Sequence, residues 1–326
     1  MKLKLTTNDP LNILTSTKNI VENAESVTLH LQNITTLAKK VRERIQQGFD
    51  TPQQSFGATG NLKDDAQLIF LEDVLNFCFW PDKGKPKWQI EWPSGKYIDG
   101  GWYGLVGCFE RAMMENPDIL DAEYLSTISL REVKNIFRSA NKTEVPLLTE
   151  RMNNLQEAGT VLMQKFDGQF FNVLEQSTYD AVELVKSVYT NFSSFRDVST
   201  LNGKTVMLLK RAQIVACDIN YITKKPLKRI EELTAFADYK LPQMLRMFGM
   251  IEYSPELANR IDTQILIPHD SREEVEIRAA TIWGVELLRQ HLKIYTAAQI
   301  DNAVWLLSQN LQNTAQPYHR TRTIFY

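Results

Sequence analysis

The sequence predicts a mainly α-helical fold with one small β element, and three observations carry that expectation. Apolar residues recur at helical spacing through most of the 326-residue chain. One short stretch of strict alternation interrupts them. Hydrophobic residues make up 43% and charged residues 23%, the balance of a chain that buries a core rather than staying disordered. No internal repeat, Gly/Ser linker or composition break divides it, so residues 1–326 are expected to form a single compact domain.

Residues 48–61 (GFDTPQQSFGATGN) are rich in Gly, Gln and Thr and are expected to form a mobile loop. In Asp73-Val74-Leu75-Asn76-Phe77-Cys78-Phe79-Trp80, a helix would set Asp73, Asn76, Phe77 and Trp80 on one face. Two readings fit. A polar pair flanked by rings suits the edge and face of a flat heterocycle, and an aromatic core helix capped by Asn76 suits the same residues. Next, Trp88, Ile90 and Trp92 alternate with polar residues, Pro93-Ser94-Gly95 supplies a turn, and Tyr97-Ile98 follows. That pattern is a β-hairpin. Gly100-Gly101 ends it, and residues 102–114 read as a helix, as do 178–189 and 206–221. Ile282, Val285, Leu288 and Leu292 share one helix face, with Glu286, Arg289 and Lys293 on the other. Ile300, Ala303, Val304, Leu307 and Leu311 repeat that spacing. Residues 317–326 end in Ile324-Phe325-Tyr326, too apolar for a frayed terminus, and are expected to dock on the body. His319, Arg320 and Arg322 in that tail suit a phosphate or the body's carboxylates equally.

The net charge of -2, with no basic stripe, favours a small substrate over a long nucleic acid. Cys78, Cys108 and Cys217 are odd in number and widely spaced, and the four histidines do not cluster. Neither a disulfide framework nor a zinc site is expected. No apolar run reaches membrane-spanning length and the first residues carry no secretory core, so a cytoplasmic location without a membrane partner is expected. The common signatures for nucleotide phosphates, zinc proteases and serine hydrolases are absent.

Three polar positions sit in apolar surroundings. Asp238 lies between Phe236-Ala237 and Tyr239, where a carboxylate costs several kcal/mol unless paired or hydrogen-bonded. It reads either as a site residue or as the cap of a helix beginning near Leu241-Pro242. Lys210 follows Met207-Leu208-Leu209, so it either snorkels or pairs with a carboxylate, Asp218 two turns on or Asp238 if the fold permits. Arg211 beside it is expected at the solvated edge of the helix. Asp301, flanked by Ile300 and Val304, is expected partly shielded with an exposed side.

Taken together, these segments resemble the queuosine salvage family, the queuosine-5′-phosphate N-glycosylases. The matching pieces are Asp73 with Leu75-Asn76-Phe77 and Phe79-Trp80, Ile136-Phe137-Arg138-Ser139, and Pro146-Leu147-Leu148. They continue through Lys165-Phe166-Asp167-Gly168, Phe195-Arg196-Asp197, Lys210-Arg211-Ala212-Gln213-Ile214, and Phe236-Ala237-Asp238-Tyr239 with Pro242-Gln243. Glu276-Ile277-Arg278-Ala279 and His319-Arg320-Thr321-Arg322 complete the series. The match weakens before about Gln67, and no earlier residue is carried over.

The resemblance implies a helical fold similar to the helix-hairpin-helix DNA glycosylases. It implies hydrolysis of the bond between a 7-deazaguanine base and ribose 5-phosphate, freeing queuine, with no metal or organic cofactor. Asp238 matches the acidic residue at the reaction centre and Lys210 a nearby basic one. Such a reaction builds oxocarbenium-like charge on the ribose, which a fixed carboxylate stabilises. Position 7 of the base is carbon, so protonation there is closed, and the departing charge must be met at the pyrimidine edge. Asn76, Asp73 and backbone groups are candidates for that edge, Phe77, Trp80 or Phe236 for the stacking ring, and Tyr239 for a further substrate contact. Asp301 is a further candidate for the base or its cyclopentenediol arm, although this chain departs from the family by having Leu306 where its second acidic residue is expected. The partner is then a small nucleotide, without a stable nucleic-acid complex. Two other functions fit less of the chain: a hydrolase for another purine or 7-deazapurine nucleotide or nucleoside, and a non-catalytic tRNA-binding module.

Overall fold

The structure, a computed structural model, describes residues 2–48, 59–311 and 314–326. Among them are fourteen α-helices and three two-stranded antiparallel sheets, so the chain is mainly helical, as its apolar spacing predicts.

The chain opens with α1 (Ile13–Glu22), β1 (Val27–Leu29) and α2 (Ile34–Gln46), followed by α3 (Leu62–Val74). Asn61 starts α3 by accepting a hydrogen bond from Lys63 N at 3.0 Å. Most of the expected loop, residues 49–58, lies outside the described residues. The expected hairpin forms from β2 (Ile90–Glu91) and β3 (Tyr97–Ile98), with Ile90 opposite Ile98. α4 (Gly101–Glu115) begins at once. Gly100 has a φ of 57°, and a Cβ there would meet Trp88 O at 2.6 Å, so only glycine permits this turn from strand to helix.

A helical layer follows: α5 (Ala122–Ser126), α6 (Leu130–Ile136), α7 (Leu148–Lys165), α8 (Phe170–Gln176) and α9 (Ala181–Asn191). The helix expected over 178–189 starts later because Thr178 and Tyr179 have positive φ and Asp180 caps it, accepting from Val182 N and Glu183 N. Then β4 (Val198–Leu201) and β5 (Lys204–Met207) pair across Asn202-Gly203, both at positive φ. Asn-Gly is the strongest short hairpin signal, and here it overrides the apolar run that suggested a helix from 206. The helix itself, α10 (Lys210–Ile222), starts four residues later.

The remainder is α11 (Lys240–Met247), β6 (Ile251–Tyr253), α12 (Pro255–Asp262), α13 (Arg272–Leu292) and α14 (Ala297–Leu311). Every residue of α13 from Glu274 to Glu286 is buried, because α1, α2, α11, α14 and β1 surround it. Of its expected polar face, Glu286 is buried and bonded to Arg289, Arg289 is half-buried and Lys293 is exposed. β1 pairs with β6, fastening the start of the chain beside α13. No helix among the described residues is long and apolar enough to cross a membrane.

The tail docks. Tyr326 is buried with Arg278 4.4 Å from its ring centre, and its carbonyl accepts from Cys78 N at 3.0 Å. Arg320 bonds the carbonyl of Pro81, Arg322 the carboxylate of Asp82, and buried His319 the hydroxyl of Tyr326. Of the two uses open to these side chains, fastening the tail to the body is the one observed.

Candidate active site

α3 ends at Val74, which leaves its last carbonyls without helical partners. Buried Arg211 takes two of them, and buried Arg151 takes carbonyls of the chain that follows. Arg211 Nη1 donates to Asp73 O at 2.9 Å and Val74 O at 2.6 Å. Arg151 donates to Leu75 O and Phe77 O, both at 2.6 Å, and Lys210 Nζ to Asn76 O at 3.3 Å. Cations are favoured at this end of a helix by its dipole. Arg211 is thus 1% exposed, not the solvated edge residue expected. Both guanidinium groups also lie over the Phe77 ring, at 4.3 and 5.3 Å. The segment from Asn76 to Trp80 is therefore pinned as irregular chain, where a helix was one expectation.

A second polar assembly holds the other wall. Arg278 grips Asp197 through two hydrogen bonds, at 2.8 and 2.6 Å, and both residues are buried. Arg278 Nε donates to Ala237 O at 3.1 Å, and Asp197 Oδ2 accepts from Lys210 N at 3.0 Å. One ion pair thus fixes the backbone beside Asp238 and at Lys210 together.

Asp238 is 8% exposed. Its Oδ1 accepts from Lys240 N at 2.7 Å and Leu241 N at 3.0 Å, which caps α11. Its Oδ2 accepts no hydrogen bond among the described residues, and the side chain lines a cavity of about 360 Å³. One oxygen bonds the first N–H groups of α11, as the cap reading expects, and the side chain also borders the cavity. Burial pushes its carboxyl above the usual range, and the nearby Lys210 ammonium is the main opposing influence. Burial likewise draws Lys210 down, with Asp238 foremost in resisting.

Eight of the nine expected site residues line this cavity: Asp238, Lys210, Asn76, Phe77, Trp80, Phe236, Tyr239 and Asp301. Asp73 does not. It lies behind Asn76, whose Nδ2 reaches Asp73 Oδ1 at 3.4 Å, and its Oδ2 has no partner among the described residues. Burial raises the Asp73 carboxyl to about 7 despite Lys210. Asp301 has no exposed side: it is buried, because α14 packs that face inward against α11 and α13. Its Oδ1 accepts from Phe236 N at 2.7 Å, and burial drives its carboxyl well up. Trp80 is backed by Arg322, 4.2 Å from its ring centre, and Tyr239 packs against Tyr318 with tilted rings 4.8 Å apart.

Sequence reasoning missed several wall residues. Ile214 and Cys217 line the cavity on the face of α10 that also carries Lys210 and Asp218, the latter expected only as a partner for Lys210, and the i, i+4, i+7, i+8 spacing was readable. Lys87, Lys240, Tyr318 and Trp305 come from four separate elements and carried no local signal. Away from the cavity, His269, Asp270 and Glu274 bring three candidate metal-ligand atoms within 4.8 Å of one another. Arg278 Nη1 stands 3.8 Å from Glu274 there, already supplying a positive charge.

The family model described as "Queuosine salvage protein" matches residues 58–326. A protein of Sphaerobacter thermophilus named queuosine 5′-phosphate N-glycosylase/hydrolase is 40% identical over 326 residues, 98% of each chain. Proteins of the same name from Mus musculus and Bos taurus are similar at 33% and 35% identity. The mouse match covers 81% of this chain and 83% of that one, and the bovine match 79% and 80%.

Proposed function

The chain belongs to the queuosine salvage protein family, and from that we propose that it hydrolyses the N-glycosidic bond of queuosine 5′-phosphate. The products are queuine and ribose 5-phosphate. The observation that carries this is the divided carboxyl of Asp238, fixed through Oδ1 and open to the cavity through Oδ2.

As the bond from the ribose anomeric carbon to the base nitrogen breaks, its electron pair leaves with the base. Asp238 stabilises the positive charge left on the sugar and orients the water whose oxygen bonds to that carbon. The water's proton passes through the carboxylate and the displaced base is reprotonated, so atoms balance. Lys210 keeps Asp238 ionised in a buried setting that otherwise favours its neutral form. Asp301, held neutral by burial, and Asn76 donate hydrogen bonds to the base edge as negative charge gathers there. Phe77, Trp80 or Phe236 stacks on the base, with Tyr239 beside it. Asp73 acts from behind, by fixing the Asn76 amide.

In this reading residues 1–326 act as one N-glycosylase domain akin to the helix-hairpin-helix DNA glycosylases. The work belongs in the cytoplasm, a reducing compartment in which Cys78, Cys108 and Cys217 stay free. No stable nucleic-acid complex is expected.

The test is to incubate the purified protein with queuosine 5′-phosphate and separate the products by chromatography. Equal amounts of queuine and ribose 5-phosphate are expected. Equally fast cleavage of ordinary purine nucleotides would make it a general hydrolase. A salt-sensitive complex with tRNA and no base release would make it a binding module.

A further inference from the structure

Charge along the cavity wall is ordered, and the order has the shape of a nucleotide. Three lysines line the cavity, and only Lys210 has a hydrogen-bonded ammonium among the described residues, on Asn76 O. Lys240 is half-buried and Lys87 lies on the exposed rim, and neither side chain meets a carboxylate there. Lys240 Nζ instead stands 4.9 Å from the ring centre of Tyr318, another wall residue.

The carboxyls divide the same way. Asp99 accepts from Gln89 Nε2 at 2.8 Å, and Asp238 and Asp301 accept from backbone N–H groups. Asp218 is half-buried and accepts nothing among the described residues. A carboxyl facing a cavity without a donor is left for a ligand to satisfy.

Position fixes the sequence of these groups. Asp238 stands two residues from Lys240, and its strongest charged neighbour is Lys210. Asp218 lies eight residues further along the face of α10 that carries Lys210, about 12 Å away at helical rise. Burial draws Lys240 down, with Asp238 resisting. Burial also raises the Asp218 carboxyl well above its usual range, Asp73 adds to this and Lys210 opposes it, so a bound ammonium would favour its ionised form. The wall thus carries Lys240 and Lys87 without a carboxylate partner, Asp238 two residues from Lys240, and Asp218 without a donor further along α10.

Resting on the hydrolase reading above, we propose that the cavity reads its substrate lengthwise. Lys240 with Lys87 takes the 5′-phosphate, and Asp218 takes the secondary ammonium of the base's aminomethyl arm. A queuosine nucleotide carries a dianion at one end, an amine protonated near neutrality at the other, and the scissile bond between them. Only one orientation places both end charges on opposite charges with the scissile bond at Asp238.

The experiment compares kcat/KM on queuosine 5′-phosphate, queuosine, 7-deazaguanosine 5′-phosphate and 7-deazaguanosine. Lys240→Met is expected to lower the preference for phosphate over nucleoside by about tenfold, the loss of one charge-assisted hydrogen bond. Asp218→Asn is expected to lower the preference for arm-bearing over armless substrate by about tenfold, on the same reasoning. Each variant should leave the other preference where it stands in the parent protein. Preferences compare two substrates on one protein, so partial loss of fold does not imitate them. Lys87→Met and Asp218→Ala repeat each arm if a first variant does not fold. An unmoved preference in its own variant, or preferences that move with the opposite variants, overturns the proposal while the hydrolase stands. Release from none of the four substrates by the parent protein removes the hydrolase and this proposal with it.

Discussion

Two buried charge systems meet at Lys210, and they are built on opposite plans. Arg278 and Asp197 satisfy one another with two hydrogen bonds, and their remaining groups bond backbone at Ala237 and Lys210. Asp238 and Lys210, beside them, are also buried but line a cavity, and Asp238 Oδ2 accepts no hydrogen bond among the described residues. The first pair has nothing left to offer a ligand. The second keeps its interaction for one. Burial alone therefore does not mark a site; burial with unfinished bonding at a cavity wall does.

The contrast breaks most visibly at Arg278. Arg278→Met strands Asp197 without its partner, and about 3–5 kcal/mol of stability should be lost in denaturant unfolding. Unchanged stability would remove the structural half of the contrast. On the other side, Lys210→Met should fold and act through Asp238. The active form of Asp238 is ionised, so kcat/KM falls as pH drops through its folded value. Removing the cation raises that value, and the acid limb should move up by about one pH unit. A limb that stays put would show that Lys210 does not hold the carboxylate's charge. The smallest effect concerns Asp73, raised by burial to about 7. A carboxyl raised in the fold contributes stability that is fully present below its unfolded value near 3.8 and is lost as pH rises through about 7. Asp73→Asn should therefore gain relative to the parent between those values, on the order of 1 kcal/mol because Asp218 shares the titration. A pH-independent difference would mean that Asp73 is ionised throughout.

The same contrast separates what the sequence revealed from what it withheld. Local chemistry was readable: the turn at Pro93-Ser94-Gly95, the apolar spacing of α14 and the docking of an apolar tail. Asn202-Gly203 was readable too, yet the apolar residues after it suggested a longer helix than forms. The end of α3 was not readable, because Arg211 and Arg151, far along the chain, take its last carbonyls and those that follow. Burial of Asp301 depends likewise on packing between α11, α13 and α14. At the site, Asp238 stood out by its apolar neighbours, and Lys210 by interrupting an apolar run. Asp218 did not, since a carboxyl at the end of a helix face has an ordinary appearance until a cavity opens beside it.

The central claim is that Asp238 spends one oxygen on the fold and keeps the other for the reaction. Asp238→Asn tests it, with base release and thermal unfolding measured on the same preparation. The amide retains an oxygen for Lys240 N and Leu241 N and removes a buried charge, so melting should hold or rise. Release of queuine should fall by about a thousandfold. Release near the parent rate, or release lost only because the protein unfolds, would contradict the account.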